Sequence, residues 1–378
     1  MKVGFHCDYF SLRGVTVATL AYARAWMTLG HESVLIKCDG QTPWIVDREP
    51  TEQAQGLQIL RYEQPEQLNH LIKATGIEAL YILTAGQQQA RFQNLDARLW
   101  VHAVFPTQIG DIHGDRYVCI SDWLAKECFN HRIPFVPHSV DSLINDSARQ
   151  PWREQHGIAA DAIVIGSMGG THTFDLAIAR NGLRKALESK HNLYFAALNH
   201  QPFFDHDRAL FLPGTDNLGN KAAFISACDA MLHGRTQGET FGLACAEFTA
   251  AGKPVMAWRD APERHHLEHF CPPALRYSSA SDLCSILQDF DPRRWDRAAL
   301  QRRCDPFRPE VIAPQFERVF SLDEANASAP HFNPIDRALI FKRRLQRSIR
   351  ARLSQRQQQR WDPSRVAIDP ASGFPVEG

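Results

Sequence analysis

The stretch Ala230–Trp258, AMLHGRTQGETFGLACAEFTAAGKPVMAW, sets two strand-sized apolar runs around a segment rich in small residues. AMLHG and KPVMAW read as strands, and the residues between them as a loop followed by a helix. Thr240 or Glu239 stands just before the helix start, and Gly252 just past its end. Two carboxylates interrupt this apolar run: Glu239 in the loop and Glu247 inside the helix. Eight helical residues rise roughly 12 Å. The two carboxylates therefore need not touch, and can grip two parts of one elongated ligand across the helix N-terminus. Free N–H groups and the helix dipole favour a negative group there.

Outward from this stretch the same alternation continues in both directions. KVGFH, TVATLAYARAWMTLG and ESVLIKC read as strand, helix and strand, the crossover unit of a doubly wound parallel sheet. LQILRY, EALYIL, ARLWVHAVF and DRYVCIS read as further strands, and SDWLAKECFNH as a helix capped by Ser121. The polar, proline-punctuated run near Asp146–Arg153 marks a domain boundary. AIVIGSM, LYFAAL and ALFLPG open a second series, which FRPEVIAPQFERVF closes as a helix. The fold class is α/β: two Rossmann-like domains, residues 1–150 and 151–322, facing a cleft. Residues 323–378 form a linker, a basic helix and a disordered end.

The 378 residues carry a net charge of +0, which argues against a nucleic-acid-binding protein. Apolar runs are strand-sized, so no transmembrane helix is expected, and the N-terminus lacks a signal-peptide pattern. Nine cysteines without a C-x-x-C pair read as reduced, mostly buried thiols of a cytoplasmic protein. The charge is nevertheless uneven. Arg337–Arg360 holds nine Lys/Arg and no Asp/Glu, whereas the chain before it has an acidic excess.

E-T-F-G-L-x-x-x-E followed by A-A-G-K-P-V resembles the E-x(7)-E motif of retaining nucleotide-sugar glycosyltransferases of the GT-B fold. SLRGVTVATLAYARAWMTLGHESVLI, CISDWLAKECF, VPHSVD and ISACDAMLHGR resemble further parts of that family, over Lys2 to Phe320. The resemblance implies that the second domain binds a nucleotide-diphosphate sugar and the first presents an acceptor hydroxyl. It assigns Glu239 to the transferred sugar, and Glu247 to the ribose. It assigns backbone N–H groups of Thr240, Phe241, Gly242 and Leu243 to sugar hydroxyls or phosphate. The family's Arg and Lys after the first strand of the second domain are missing, with Ser167 or Met168 in the place of the Arg. Gly169, Gly170 and Thr171 remain as a backbone cradle, with Arg235, Lys221 and Arg13 as substitute cations. No cofactor or metal is implied. Alternatives are a GT-B epimerase or phosphorylase, and a non-catalytic binding protein recruited by its basic tail.

Three other features bear on the site. His102 ends a strand of the first domain, where similar enzymes hold a sugar-contacting histidine; a structural histidine is the alternative. Arg13 and Gly14 follow the first strand, in the loop that faces donor and acceptor in the family. ERHHLEHF places His265 and His269 one helical turn apart, but with no further ligands evident it reads as a surface helix rather than a zinc site. In the tail, Ala338, Phe341, Leu345, Ile349 and Leu353 recur about every fourth residue among arginines. Residues 337–360 thus read either as an amphipathic helix for an anionic membrane surface or as a helix packed on the chain's own body.

Overall fold

The computed structural model describes residues 1–12, 14–39, 54, 56–321 and 330–358. The chain divides into two compact units. One comprises Met1–Ser139 with Pro306–Leu345, the other Val140–Asp305 with the chain from Gln346 on.

The first unit runs β1 (Lys2–Cys7), α1 (Gly14–Thr28), β2 (Glu32–Cys38), β3 (Gln58–Tyr62), α2 (Pro65–Thr75), β4 (Ala79–Thr84), β5 (Arg98–Ala103), β6 (Arg116–Cys119) and α3 (Asp122–Phe129). Its strands form one parallel sheet in the order β3-β2-β1-β4-β5-β6. Central strands such as β1 and β4 are covered on both faces, so they read as continuous apolar runs rather than alternating ones. Ser121 caps α3 as expected, its Oγ accepting from Leu124 N at 3.1 Å.

The second unit contains α4 (Arg149–Gln155), β7 (Ile163–Met168), α5 (Ala177–Ser189), β8 (Leu193–Leu198), β9 (Ala209–Leu212), α6 (Leu218–Ala227), β10 (Ala230–Leu232), β11 (Gly238–Glu239), α7 (Leu243–Ala250), β12 (Val255–Trp258), β13 (Glu263–Arg264), α8 (His265–His269), β14 (Arg276–Tyr277), α9 (Ala280–Asp289) and α10 (Arg297–Arg302). Its main sheet, also parallel, has the order β14-β12-β10-β7-β8-β9. Ile165, Phe195, Leu232 and Met256 from these strands pack with Leu183 and Leu283 from the covering helices. At Gly182 of α5 a methyl group would sit 2.8 Å from the carbonyl of Ala280, so the close approach of α5 to α9 requires glycine.

Two expected boundaries move. The boundary expected near Asp146–Arg153 falls earlier: the second unit already begins at Val140, so this run lies inside it. Arg153 is fully buried there. It donates to the carbonyls of Ala227, Ala160 and Ala162 and, at 2.8 Å, to Asp229. Arg149 reaches the other oxygen of Asp229 at 2.6 Å. Their polarity reflects paired burial, which composition does not distinguish from exposure.

The second correction concerns α11 (Pro309–Ser321), expected to close the second domain. It packs in the first unit, where Phe316 stacks on Tyr22 with centroids 4.8 Å apart and Phe320 meets Trp100 at 5.4 Å. The periodicity of Ile312, Phe316 and Phe320 defines an apolar stripe but not the core that receives it. α12 (Pro334–Gln358) follows, assigned to the first unit up to Leu345 and to the second from Gln346.

Candidate functional site

In an open parallel sheet, ligands bind outside the carboxyl ends of the strands where the strand order reverses. In the second unit that point lies between β7 and β10. The segment after β7 holds Gly169, Gly170 and Thr171; the segment after β10 holds His233, Arg235 and, through β11, Glu239. The two segments are tied together. Leu176 N donates to Gly234 O at 2.9 Å, and Thr236 N to Asp175 Oδ1 at 2.6 Å. A methyl group on Gly234 would lie 2.7 Å from the Phe174 ring, so this contact also needs glycine.

Glu239 is held on both oxygens. His233 Nε2 lies 3.2 Å from Oε1, and Arg235 Nη1 donates to Oε2 at 3.0 Å. Burial alone would raise the Glu239 pKa. The Arg235 guanidinium, aided by His233 and His266, outweighs that and brings it down to about 2. At neutral pH Glu239 is therefore an oriented carboxylate. It accepts hydrogen bonds and favours nearby positive charge, but has no proton to give.

α7 begins at Gly242, whose φ of +96° is reached at little cost only by glycine. Ala246 N donates to Gly242 O at 2.9 Å, the first bond of the helix. Earlier N–H groups in the first turn have no acceptor within the helix. Small residues let α7 sink into the protein, which leaves Glu247 only 8% exposed. Lys221 of α6 compensates it, with Nζ 2.5 Å from Glu247 Oε1. Thr240 and Phe241 are buried beside the helix start, whereas Leu243 is partly exposed.

The Gly169–Thr171 segment is braced from β8. Asn199 Nδ2 donates to Gly169 O at 2.8 Å, and His200 Nδ1 lies 3.2 Å from Gly170 O. Ser167, which with Met168 stands where the resemblance would put an Arg, is buried, with Oγ 3.1 Å from His200 Nε2. Burial, partly offset by its bond to Gly170 but reinforced by His233 and Arg180, lowers the His200 pKa to about 4. His200 thus stays neutral at pH 7 and adds no charge to the site.

Glu263 is a carboxylate that sequence reading passed over. It accepts from Gln237 Nε2 at 3.1 Å, on the strand paired with Gly238–Glu239. Burial pushes its pKa up to about 7; Gln237 and Arg235 resist the shift, and Glu239 adds to it. His233 and His266, with ring centroids 4.5 Å apart, were passed over too. The available signal was position: His233 follows a buried strand at its carboxyl end.

Other expectations change. His102 is fully buried, with Nδ1 2.8 Å from Tyr81 Oη and Nε2 2.9 Å from Val136 O. A carbonyl only accepts, so Nε2 carries the proton and Nδ1 accepts from the tyrosine. Burial, against its bonds to the carbonyls of Val136 and Cys119, drops the His102 pKa to about 3. Both nitrogens are used internally, so His102 is a core residue and not a sugar contact. α8 is not a surface helix either: His265, His266 and Leu267 are buried. His265 stacks on Phe241 at 4.9 Å and bonds its carbonyl at 2.9 Å. Gly14 begins α1 and is exposed; Arg13 lies outside the described residues.

No protein-family model and no curated protein matches the chain. Solved structures do. HepE of Anabaena, in complex with UDP and glucose, aligns at 14% identity over 85% of this chain and 99% of its own, with a TM-score of 0.66. A glycosyltransferase from Rickettsia africae aligns at 12% identity over 86% and 99%, with a TM-score of 0.62. Sucrose-phosphate synthase from Thermosynechococcus elongatus aligns at 14% identity over 85% and 98%, with a TM-score of 0.60. With its two six-stranded parallel sheets, the chain has the GT-B glycosyltransferase fold.

Proposed function

We propose that the protein transfers a sugar, most simply a hexose, from a nucleotide-diphosphate donor to an acceptor hydroxyl, with retention of configuration. The carrying observation is the pair of carboxylates flanking the N-terminus of α7 at the switch point of the second sheet. Ionised Glu239, oriented by His233 and Arg235, suits the hydroxyls of the transferred sugar. Glu247 suits the ribose diol. Lys221 holds its Oε1 from the neighbouring helix. The fold shared with a structure containing UDP and glucose supports a nucleotide-sugar donor.

As the bond to the diphosphate breaks, positive charge develops on the sugar ring and negative charge on the leaving group. Preorganised dipoles aimed at those charges lower the barrier. Glu239 lies on the side of the sugar. The N–H groups of Gly169, Gly170, Thr171 and the first turn of α7 take the diphosphate, with Arg235 and Lys221 as the nearby cations.

Thermal stability with UDP, GDP, ADP and CMP tests this reading. A nucleotide at 100 times its Kd stabilises the native state by about 2.7 kcal/mol. We expect a shift with one nucleotide, lost in Glu247→Ala. No shift with any of them favours a second reading, a non-catalytic GT-B protein. The observation behind that reading is the place of the resembling family's arginine, which here holds Ser167, bonded to His200, or Met168.

A further inference from the structure

The outward face of α12 carries an apolar stripe. Phe341, Leu345, Ile349 and Leu353 recur every fourth residue and are 69%, 52%, 51% and 53% exposed. Surface hydrophobics are ordinary when scattered singly, but not as a stripe along roughly 18 Å of one helix. The opposite side of the helix does the packing, where polar contacts stand beside the partly buried Leu339 and Ile340. Asp336 is buried, accepting from Asn130 Nδ2 at 2.7 Å and Arg132 Nε at 3.0 Å. Arg343 donates to Lys126 O at 2.7 Å, and Ser354 is 1% exposed. A surface helix usually turns such a stripe inward, whereas here four large apolar side chains face out.

The charge around the stripe has one sign. Asp336, the acidic residue of α12, is already paired with Arg132. Lys342, Arg344, Arg352 and Arg356 are exposed. At 3.6 residues per turn, Lys342, Arg352 and Arg356 fall in the same roughly 120° arc as the four apolar side chains. Their long stems can lie along apolar surface while the charged ends reach polar groups beyond it. The acidic excess of the preceding chain makes this positive face a local feature.

We propose that this face of α12 docks on an anionic lipid bilayer, with the helix lying in the plane of the interface. The four apolar side chains enter the acyl boundary, and the Lys and Arg side chains meet lipid phosphates. A second copy of the chain is a poorer occupant. It would bring two basic faces together with no free carboxylate on either helix.

The test sediments the full-length protein with vesicles of phosphatidylcholine alone, and of phosphatidylcholine mixed with phosphatidylglycerol. Binding is expected to the mixed vesicles and to weaken with salt. It is expected to fall by about tenfold or more in Phe341→Ser/Leu345→Ser, and likewise in Lys342→Gln/Arg352→Gln/Arg356→Gln. All five side chains are exposed, and a melting curve checks that each variant folds. No binding to mixed vesicles, or binding that neither variant alters, overturns the proposal. A wild-type dimer abolished by Phe341→Ser/Leu345→Ser would also overturn it, assigning the stripe to a second copy.

Discussion

Lys221 Nζ lies 2.5 Å from Glu247 Oε1, joining α6 to α7 through a pair whose side chains are 16% and 10% exposed. Removing one member of a buried ion pair leaves the other uncompensated, which typically costs ~3–5 kcal/mol. Lys221→Met is therefore expected to lower stability by about 3 kcal/mol. Adding Glu247→Leu should restore much of that loss, because an apolar pair of similar size packs without a desolvated charge. Urea denaturation of the wild type, both single variants and the double variant measures the coupling. Additive losses would show the pair to be energetically idle.

Glu239 titrates in the other direction from Glu263, and the two can be separated by pH. The folded-state pKa of Glu239, about 2, lies below its unfolded value. Its stabilising contribution is thus complete above the ordinary glutamate range and is lost as pH falls toward 2. Glu239→Gln should flatten the acid limb of the stability curve. In a transfer assay it should also reduce kcat/KM by about 100-fold or more, the scale for losing an oriented transition-state partner.

Glu263 has its folded-state pKa raised to about 7. The native state then holds a proton that the unfolded chain releases, so stability falls as pH rises from about 4.5 to 7 and levels off above. Glu263→Gln mimics the protonated form and should remove that fall. Melting temperatures between pH 4.5 and 8 check it: an unchanged slope in the variant would place the titration elsewhere.

His102→Leu separates the structural role of this histidine from the catalytic one expected for it. The substitution leaves Tyr81 Oη without its acceptor and Val136 O without its donor, at a cost of about 1–3 kcal/mol. Nucleotide-induced stabilisation should be retained. A variant of unchanged stability that has lost transfer activity would restore the catalytic assignment.

Gly238→Ala should be destabilising beyond an ordinary surface change. The residue has a φ of +77°, and an added methyl group would run into the carbonyl oxygen of Glu263. A strained backbone position of this kind costs on the order of 1–3 kcal/mol, read as a lower melting temperature.

Much of the architecture was legible because local physics imposes it. Strands buried on both faces must be continuously apolar, and the turns between them need glycine or polar residues. Hence KVGFH, AIVIGSM and KPVMAW could be placed without coordinates, as could the cap at Ser121. Helix bounds read from Thr240 or Glu239 and from Gly252 likewise put Glu239 before a helix and Glu247 within it. Partnership is a different matter, because it joins residues far apart in the chain. Only the tertiary structure decided that Arg153 is buried on Asp229, and that α11 completes the first core. Only it turned His102 inward to Tyr81 and left the apolar stripe of α12 facing out. A charged or aromatic side chain carries the same local signal whether its partner is water or a residue far along the chain. Burial and pairing therefore emerge only when the chain is closed on itself.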